Sequence, residues 1–278
     1  MNPTQGVPFD LPCGVFDSEG ELRRKVYIRP WRAKVKRLLG KMDARKDAGK
    51  AVEIILQESI VSIEGFRTVS SALLNDMLGP DREFCALQAR IMSRGPIVEA
   101  DFTCLSCQYR KKGMKLDLSN IGVMGVDEFP LVRSEPEIDV RGKDTGRKVR
   151  VFDITVPGGQ WDDKDSKEIK ATFRIPNGAD LKEVAKHVNK NPVAADWSLW
   201  SRTCLLWGEQ RPPFIMSFWD NLTAYQLEAL EDGFAEIDKL GPETVNYVDC
   251  DECGDENPVS IYATDFLLRL PRSRTRTR

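Results

Sequence analysis

Three short motifs recur in this chain at one common offset, and this recurrence limits the folds that the chain can adopt. Each first copy is followed 146 residues later by a second: Tyr27–Pro30 by Phe173–Pro176, Gly95–Pro96 by Gly241–Pro242, and the CxxC pair Cys104–Cys107 by Cys250–Cys253. A proline after a strand, a Gly-Pro after a helix and a CxxC pair are unrelated features. Because they share one offset, the sequence predicts a tandem duplication.

The segment between the two copies is predicted to be a surface linker. Residues 133–150 are highly charged, contain Gly and Pro and have few apolar side chains, which is typical of a connection between domains. The predicted organisation is an N-terminal segment (1–14), a first repeat (15–132), this linker (133–150), a second repeat (151–268) and an Arg-rich tail (269–278).

Composition indicates an ordinary globular protein. The 278 residues include 41 Lys or Arg and 43 Asp or Glu, so the formal net charge is −2, which argues against a protein whose whole surface wraps nucleic acid. No apolar run reaches the ~20 residues that a membrane helix needs, and the first residues do not have the pattern of a signal peptide. We therefore expect a cytoplasmic protein with no membrane partner.

Hydrophobic spacing predicts the same elements in each copy. Short alternating strands end at Pro30 and Pro176, and helical stripes with several tryptophans follow and are predicted to form the core. Each copy then has a β-hairpin that carries its CxxC pair. The predicted fold class is α+β, as a mainly α-helical tandem duplication in which each half has a short strand, several helices and one hairpin.

The two CxxC pairs are the strongest candidate for a site. Two thiolates in a hairpin turn can face one metal ion, but each such knuckle supplies only half of a tetrahedral site. If the two halves pack about a pseudo-twofold axis, the two knuckles meet and form one closed site for a structural zinc ion. Its ligands would be Cys104, Cys107, Cys250 and Cys253. Three alternatives stay open: knuckles that pair between subunits, sites that have lost their metal, and redox or disulfide pairs.

Catalysis is not expected. The chain has one histidine, His187, which is predicted to lie on the surface. The sequence lacks a phosphate-binding glycine loop, a GxSxG elbow and an HExxH motif. Of the other cysteines, Cys85 and Cys204 lie on apolar helical faces and are predicted to be core residues. Cys13 has no partner at a meaningful spacing.

The tail has five arginines in its ten residues, 269–278. It is predicted to be either a solvated, disordered tail or an electrostatic arm for nucleic acid or an acidic partner. The second alternative gives a rival function, a zinc-knuckle protein that binds nucleic acid through this tail. The acidic residues around the second knuckle would repel phosphate, which argues against a nucleic-acid partner.

Six short motifs together carry a family resemblance: Phe9–Gly14, Asp17–Gly20, Val26–Pro30, Phe173–Leu181, the CxxC-Gly of the second knuckle and Asp265–Leu268. They resemble motifs of the baseplate hub assembly, or tail assembly chaperone-like, proteins of contractile-tailed phages and related injection systems. The first half departs from this pattern after Pro30 and in having Gln108 where the second knuckle has glycine.

The resemblance implies a structural or assembly protein without catalytic residues. Its implied partners are other proteins of the baseplate hub, the spike or the tape-measure end of the tail. The implied location is the host cytoplasm during assembly or the tail baseplate of the virion.

Overall fold

The computed structural model describes residues 6–40, 48–138, 143–158, 167–188, 191–211, 213–243 and 245–260. The fold is α+β, with 38% helix and 35% strand, and eight helices and thirteen strands in five sheets within the described ranges. The prediction of a mainly α-helical protein is therefore wrong. Strands were underestimated because several carry proline, glycine or many charges, which are uncommon in strand interiors.

The first half contains two sheets and four helices. Strands β1, β2 and β3 form an antiparallel sheet in that order, and β4 pairs with β5 in a separate hairpin. In chain order its elements are β1 (Val7–Phe16), β2 (Leu22–Ile28), α1 (Ala33–Leu39), α2 (Ala48–Ser59), β3 (Ile60–Ile63), α3 (Ser71–Asp76), α4 (Gly79–Arg94), β4 (Ile97–Thr103) and β5 (Arg110–Asp117).

The second half follows after two short strands that have no counterpart in the first. These are β6 (Val123–Met124) and β7 (Arg133–Ile138). The remaining elements are β8 (Asp144–Val156), β9 (Ile169–Arg174), α5 (Gly178–Val188), α6 (Pro192–Thr203), β10 (Cys204–Trp207), α7 (Met216–Trp219), α8 (Ala224–Ile237), β11 (Gly241–Pro242), β12 (Val245–Asp249) and β13 (Glu256–Ser260).

The two halves have the same order of elements. Nine elements of each half match one for one. In the first half they are β1, β2, α1, α2, β3, α3, α4, β4 and β5, and in the second they are β8, β9, α5, α6, β10, α7, α8, β12 and β13. In both halves the second strand lies between the first and the third in an antiparallel sheet. Sequence and topology therefore repeat together, even though few side chains are identical.

Two segments extend across the predicted boundaries. Strand β1 begins inside the segment 1–14, and β7 pairs with β8 within the stretch predicted to be a linker, 133–150. Strand β7 adds a fourth strand to the sheet of the second half, giving the order β10-β9-β8-β7. The described part of the charged stretch thus contains two paired antiparallel strands.

Aromatic side chains fill the core of the second half. Trp219 is fully buried and stands edge-on to Trp200, with ring centroids 5.6 Å apart, and Phe234 contacts Phe173 at 5.1 Å. Such aromatic pairs add specific geometry to a large apolar area. The buried Cys204 belongs to the same cluster, and the sequence prediction that it is a core residue is confirmed.

A crossing segment joins the first hairpin to the second half. After β5 the chain forms β6, which pairs with β11, and the Glu243 N–H donates to the Gly122 carbonyl at 2.8 Å. Val126 and Phe129 are then buried in the core of the second half. Gly241 has a φ of +87°, and a Cβ there would lie 2.8 Å from Pro80. Glycine is therefore required where β11 meets the start of α4.

None of the helices within the described ranges is both long enough and apolar enough to cross a lipid bilayer.

The start of α4 carries a buried carboxylate. Asp81 is completely buried, and one of its oxygens accepts a hydrogen bond from the backbone N–H of Cys13 at 2.7 Å. The other oxygen has no partner. Burial raises the pKa of Asp81 to about 6, although its hydrogen bonds from backbone N–H groups lower it. The ionised form is therefore less stable in the folded chain than in the unfolded chain.

This burial predicts a pH-dependent stability. Because the folded-state pKa lies above the unfolded value of 3.8, ionisation of Asp81 should lower the free energy of unfolding as pH rises from about 4 to about 6, by up to about 3 kcal/mol. Asp81→Asn keeps one acceptor oxygen for Cys13, so this decline should shrink. Urea unfolding in EDTA between pH 4 and pH 8 measures it. Glu209→Gln, an exposed change, is the control, and a decline in Asp81→Asn as large as in the parent chain would contradict the assignment.

Candidate metal centre

The first knuckle is the turn of the β4–β5 hairpin. The last strand pair, Thr103 with Arg110, brings the chain into the turn at Cys104. The Cys104 N–H donates to the Tyr109 carbonyl at 2.9 Å, and the Gln108 N–H donates to the Cys104 carbonyl at 3.1 Å. These bonds fix a tight loop in which the Cys107 N–H points to the Cys104 sulfur at 3.5 Å.

The second knuckle repeats this turn at equivalent positions. The Cys250 N–H donates to the Asp255 carbonyl, and the Gly254 N–H donates to the Cys250 carbonyl, both at 2.9 Å. Gly254 has a φ of +76°, and Gln108 takes the same left-handed conformation with a φ of +62°. The Gln108 side-chain amide donates to the Leu105 carbonyl at 3.1 Å. The two turns therefore have the same backbone conformation, although the first knuckle has Gln108 where the second has Gly254.

The fold brings the two knuckles of one chain together. The sulfur atoms of Cys104, Cys107, Cys250 and Cys253 all lie within 4.8 Å of one another. The Cys104 and Cys253 sulfurs are 3.7 Å apart, and those of Cys107 and Cys250 are 3.6 Å apart. Four thiolates about 2.3 Å from one tetrahedral metal ion would be about 3.8 Å apart. The cluster can therefore bind a metal ion, as the spacing and duplication predicted.

One cysteine of each pair is buried and one is exposed. Cys104 and Cys250 are buried, whereas Cys107 and Cys253 face solvent. The buried pair belongs to an apolar cluster below the site, which includes Phe102 from the first hairpin. This cluster also contains Leu87, Val98, Ala100, Met114 and Leu118. The site thus lies on an apolar base that both hairpins share.

Hydrogen bonds lower the pKa of the Cys104 thiol. The backbone N–H of Cys107 is the main cause, supported by Ser106, and together with neighbouring thiols these bonds lower the pKa of Cys104 to about 6. At Cys253 the hydrogen bond from the Asp255 N–H lowers the pKa of the thiol. Desolvation and the neighbouring thiols have a larger opposite effect and raise this pKa to about 12. Proximity of the thiols therefore opposes full ionisation of the cluster unless a cation is bound.

Two further residues support the site, each from the hairpin opposite the knuckle that it contacts. Asn257 of the second hairpin is buried; its side-chain oxygen accepts from the Leu105 N–H at 2.8 Å, and its amide nitrogen lies 3.6 Å from the Cys104 sulfur. At the equivalent position of the first hairpin, the Lys111 ammonium pairs with Asp251 at 2.6 Å. Each hairpin thus contacts the knuckle of the other.

Sequence reasoning missed Asn257 and Lys111. Lys111 and Asn257 are 146 residues apart, which is the same offset as between the two CxxC pairs. This offset could therefore have pointed to them. Their types differ, however, and the contacts they make run between halves, which no local pattern shows. Cys13, Cys85 and Cys204 are buried and lie outside the cluster.

Comparisons with protein-family models, with curated proteins and with solved structures found no match to this chain.

The contacts of Asn257 predict a role in metal affinity. Asn257→Leu removes the hydrogen bond that holds the Leu105 N–H and the one that reaches the Cys104 sulfur. Loss of such supporting contacts commonly reduces metal affinity about 10- to 100-fold, and we expect a loss of at least about tenfold. Competition with a chromophoric chelator for added Zn²⁺ measures it.

Lys111→Met is the matched control, because it removes the more exposed contact at the equivalent position. We expect its Zn²⁺ affinity to change by less than about threefold, since exposed ion pairs contribute little. Equal losses in the two variants would contradict a specific role for Asn257.

Proposed function

We propose that this protein is a non-enzymatic structural or assembly component of a contractile phage tail baseplate, and that a structural zinc ion joins its two halves. The observation that carries the zinc part of this proposal is the meeting of four cysteine sulfurs, two from each half, within 4.8 Å. A metal ion held by all four would cross-link two segments that lie far apart in the sequence.

The donor set favours zinc in a structural role. Four thiolates in a tetrahedral arrangement are typical of zinc, and of iron in some proteins. With all four positions taken by cysteine, no ligand position is left for water or substrate, as a catalytic zinc ion would need. Such an ion contributes to stability, because binding to the folded site adds to the free energy of unfolding.

The zinc assignment predicts one ion per chain. Elemental mass spectrometry of the purified protein should find about one zinc, and Cys104→Ser and Cys250→Ser should each lose it, since a shared site needs ligands from both halves. The same measurement separates zinc from iron.

Cys85→Ser is the control, because Cys85 is buried away from the cluster and its variant should keep the ion. Metal that persists in either Cys104→Ser or Cys250→Ser would show that the knuckles do not share one site. A freshly reduced, metal-free parent protein would overturn the zinc proposal.

The baseplate role is supported by the sequence resemblance. Two of the motifs that carry it occupy equivalent places: Val26–Pro30 spans the end of β2, and Phe173–Leu181 spans the end of β9 and the start of α5. An assembly protein of this kind acts by offering surfaces to hub, spike or tape-measure proteins. Capture of a partner helix or strand in an apolar groove is a common way to do this.

The assembly role predicts stable complexes. When the protein is expressed with candidate hub, spike and tape-measure proteins from a contractile tail, at least one should co-purify with it. Co-purification should survive about 0.5 M salt if apolar contacts dominate.

The rival function predicts a different result. A nucleic-acid-binding protein would bind DNA or RNA with an affinity that falls steeply with salt, and deletion of residues 269–278 would abolish this binding. The second hairpin disfavours it, because residues 245–260 include five acidic side chains and no Lys or Arg. Salt-sensitive binding to nucleic acid, with no tail protein retained, would overturn the baseplate proposal.

A further inference from the structure

A groove of about 850 Å³ runs between the two halves, away from the cysteines. It is lined by the start of α4, the crossing segment around β6, the start of α5, the end of α8 and β12. Its apolar side chains include Val123, Leu181 and Tyr247, which are 38%, 37% and 62% exposed. This is an apolar surface at a junction between domains, where binding sites commonly occur.

Four carboxylates line the same groove: Glu83, Glu128, Asp238 and Glu243. Its lining also includes Lys239, whose ammonium group pairs with Glu236. Desolvation raises the pKa of Glu83 to about 7, and the charge of Asp238 adds to this rise. None of the four takes part in an ion pair with another described residue. Apolar walls with unpaired carboxylates fit a ligand that is apolar and cationic.

The chain itself supplies such a segment next to the groove. Ser260, the last residue of β13, pairs with Val245, which lines the groove. The residues that follow, 261–278, lie outside the described ranges. They contain six large apolar side chains within ten positions, at 261, 262, 266, 267, 268 and 270, and then the arginine-rich tail.

We propose that residues 261–278 of this chain bind in the groove between its halves, with their apolar side chains on the groove walls and their arginines near its carboxylates. The proposal rests on the groove, its charge and the position of Ser260. It does not depend on the metal ion or on the baseplate role.

The length and attachment of the segment suit this arrangement. Ten residues in extended form span up to about 33 Å, so the apolar stretch can reach along the groove from Ser260. Attachment at the groove edge gives the segment an effective concentration of roughly millimolar, so even weak contacts would keep the groove occupied. An external ligand would have to displace it.

A synthetic peptide tests the proposal. A fluorescently labelled peptide of residues 261–278 is added to the full chain and to a chain that ends at Ser260, and its anisotropy is followed. We expect binding to the shortened chain, and at least about tenfold weaker apparent binding to the full chain, whose own segment competes. Circular dichroism establishes that the shortened chain is folded.

Two variants of α5 in the shortened chain locate the binding surface. Leu181→Glu places a negative charge on the groove wall and should weaken peptide binding at least about tenfold. Val188→Glu, at 49% exposure on the same helix but outside the groove, should leave it unchanged. No binding to the shortened chain, or equal effects of the two variants, would overturn the proposal.

A photo-crosslinking experiment in the full chain covers the case in which the shortened chain does not fold. Benzoylphenylalanine replaces Tyr247 in the groove or, as a control, the exposed Val193 on α6 outside it. We expect an intramolecular crosslink from position 247 to residues 261–278, and none from position 193. Crosslinks only between two copies, or none to the segment, would show that the groove has another occupant or stays open.

Discussion

Backbone hydrogen bonds hold the two halves together away from the cysteine site. The Gly79 N–H donates to the Pro176 carbonyl at 2.8 Å, and the Gly178 N–H donates to the Met77 carbonyl at 3.0 Å. These reciprocal bonds fix the start of α4 against the start of α5. A Cβ on Gly178 would meet the guanidinium group of the buried Arg82 side chain, so glycine leaves room for this side chain beside the contact. This contact acts together with the pairing of β6 with β11 to join the two halves.

Duplication preserved the backbone of the knuckles while their charges diverged. The turns make the same hydrogen bonds, yet Lys111 of the first hairpin corresponds to Asn257 of the second, and Leu105 corresponds to Asp251. The differences are complementary, because Lys111 pairs with Asp251 and Asn257 holds Leu105. A symmetric pair of acidic knuckles would repel across a site that carries thiolate charge. Divergence thus stabilises the contact between the hairpins.

The sequence predicted the site better than the fold class. A common offset is a long-range signal, and it placed Cys104 and Cys250 in equivalent turns without any knowledge of the strands between. Strand content was underestimated because β1 contains Pro8, Pro12 and Gly14 and has an irregular register between Asp10 and Val15. Strand β7 lies in a charged stretch and gains its order by pairing with β8. Such strands are specified by tertiary pairing, which propensity and periodicity do not report.

The metal centre and the groove share structural elements, so the state of one bears on the other. Strand β12 carries Tyr247 in the groove wall and leads directly to Cys250. The first hairpin leads from Cys107 through β5 to Gly122 and β6, which also line the groove. A metal ion held by both knuckles would therefore restrain the movement of β12 and of the segment around β6 relative to each other. Because both segments line the groove, loss of that ion would loosen the groove without removing the contact between α4 and α5.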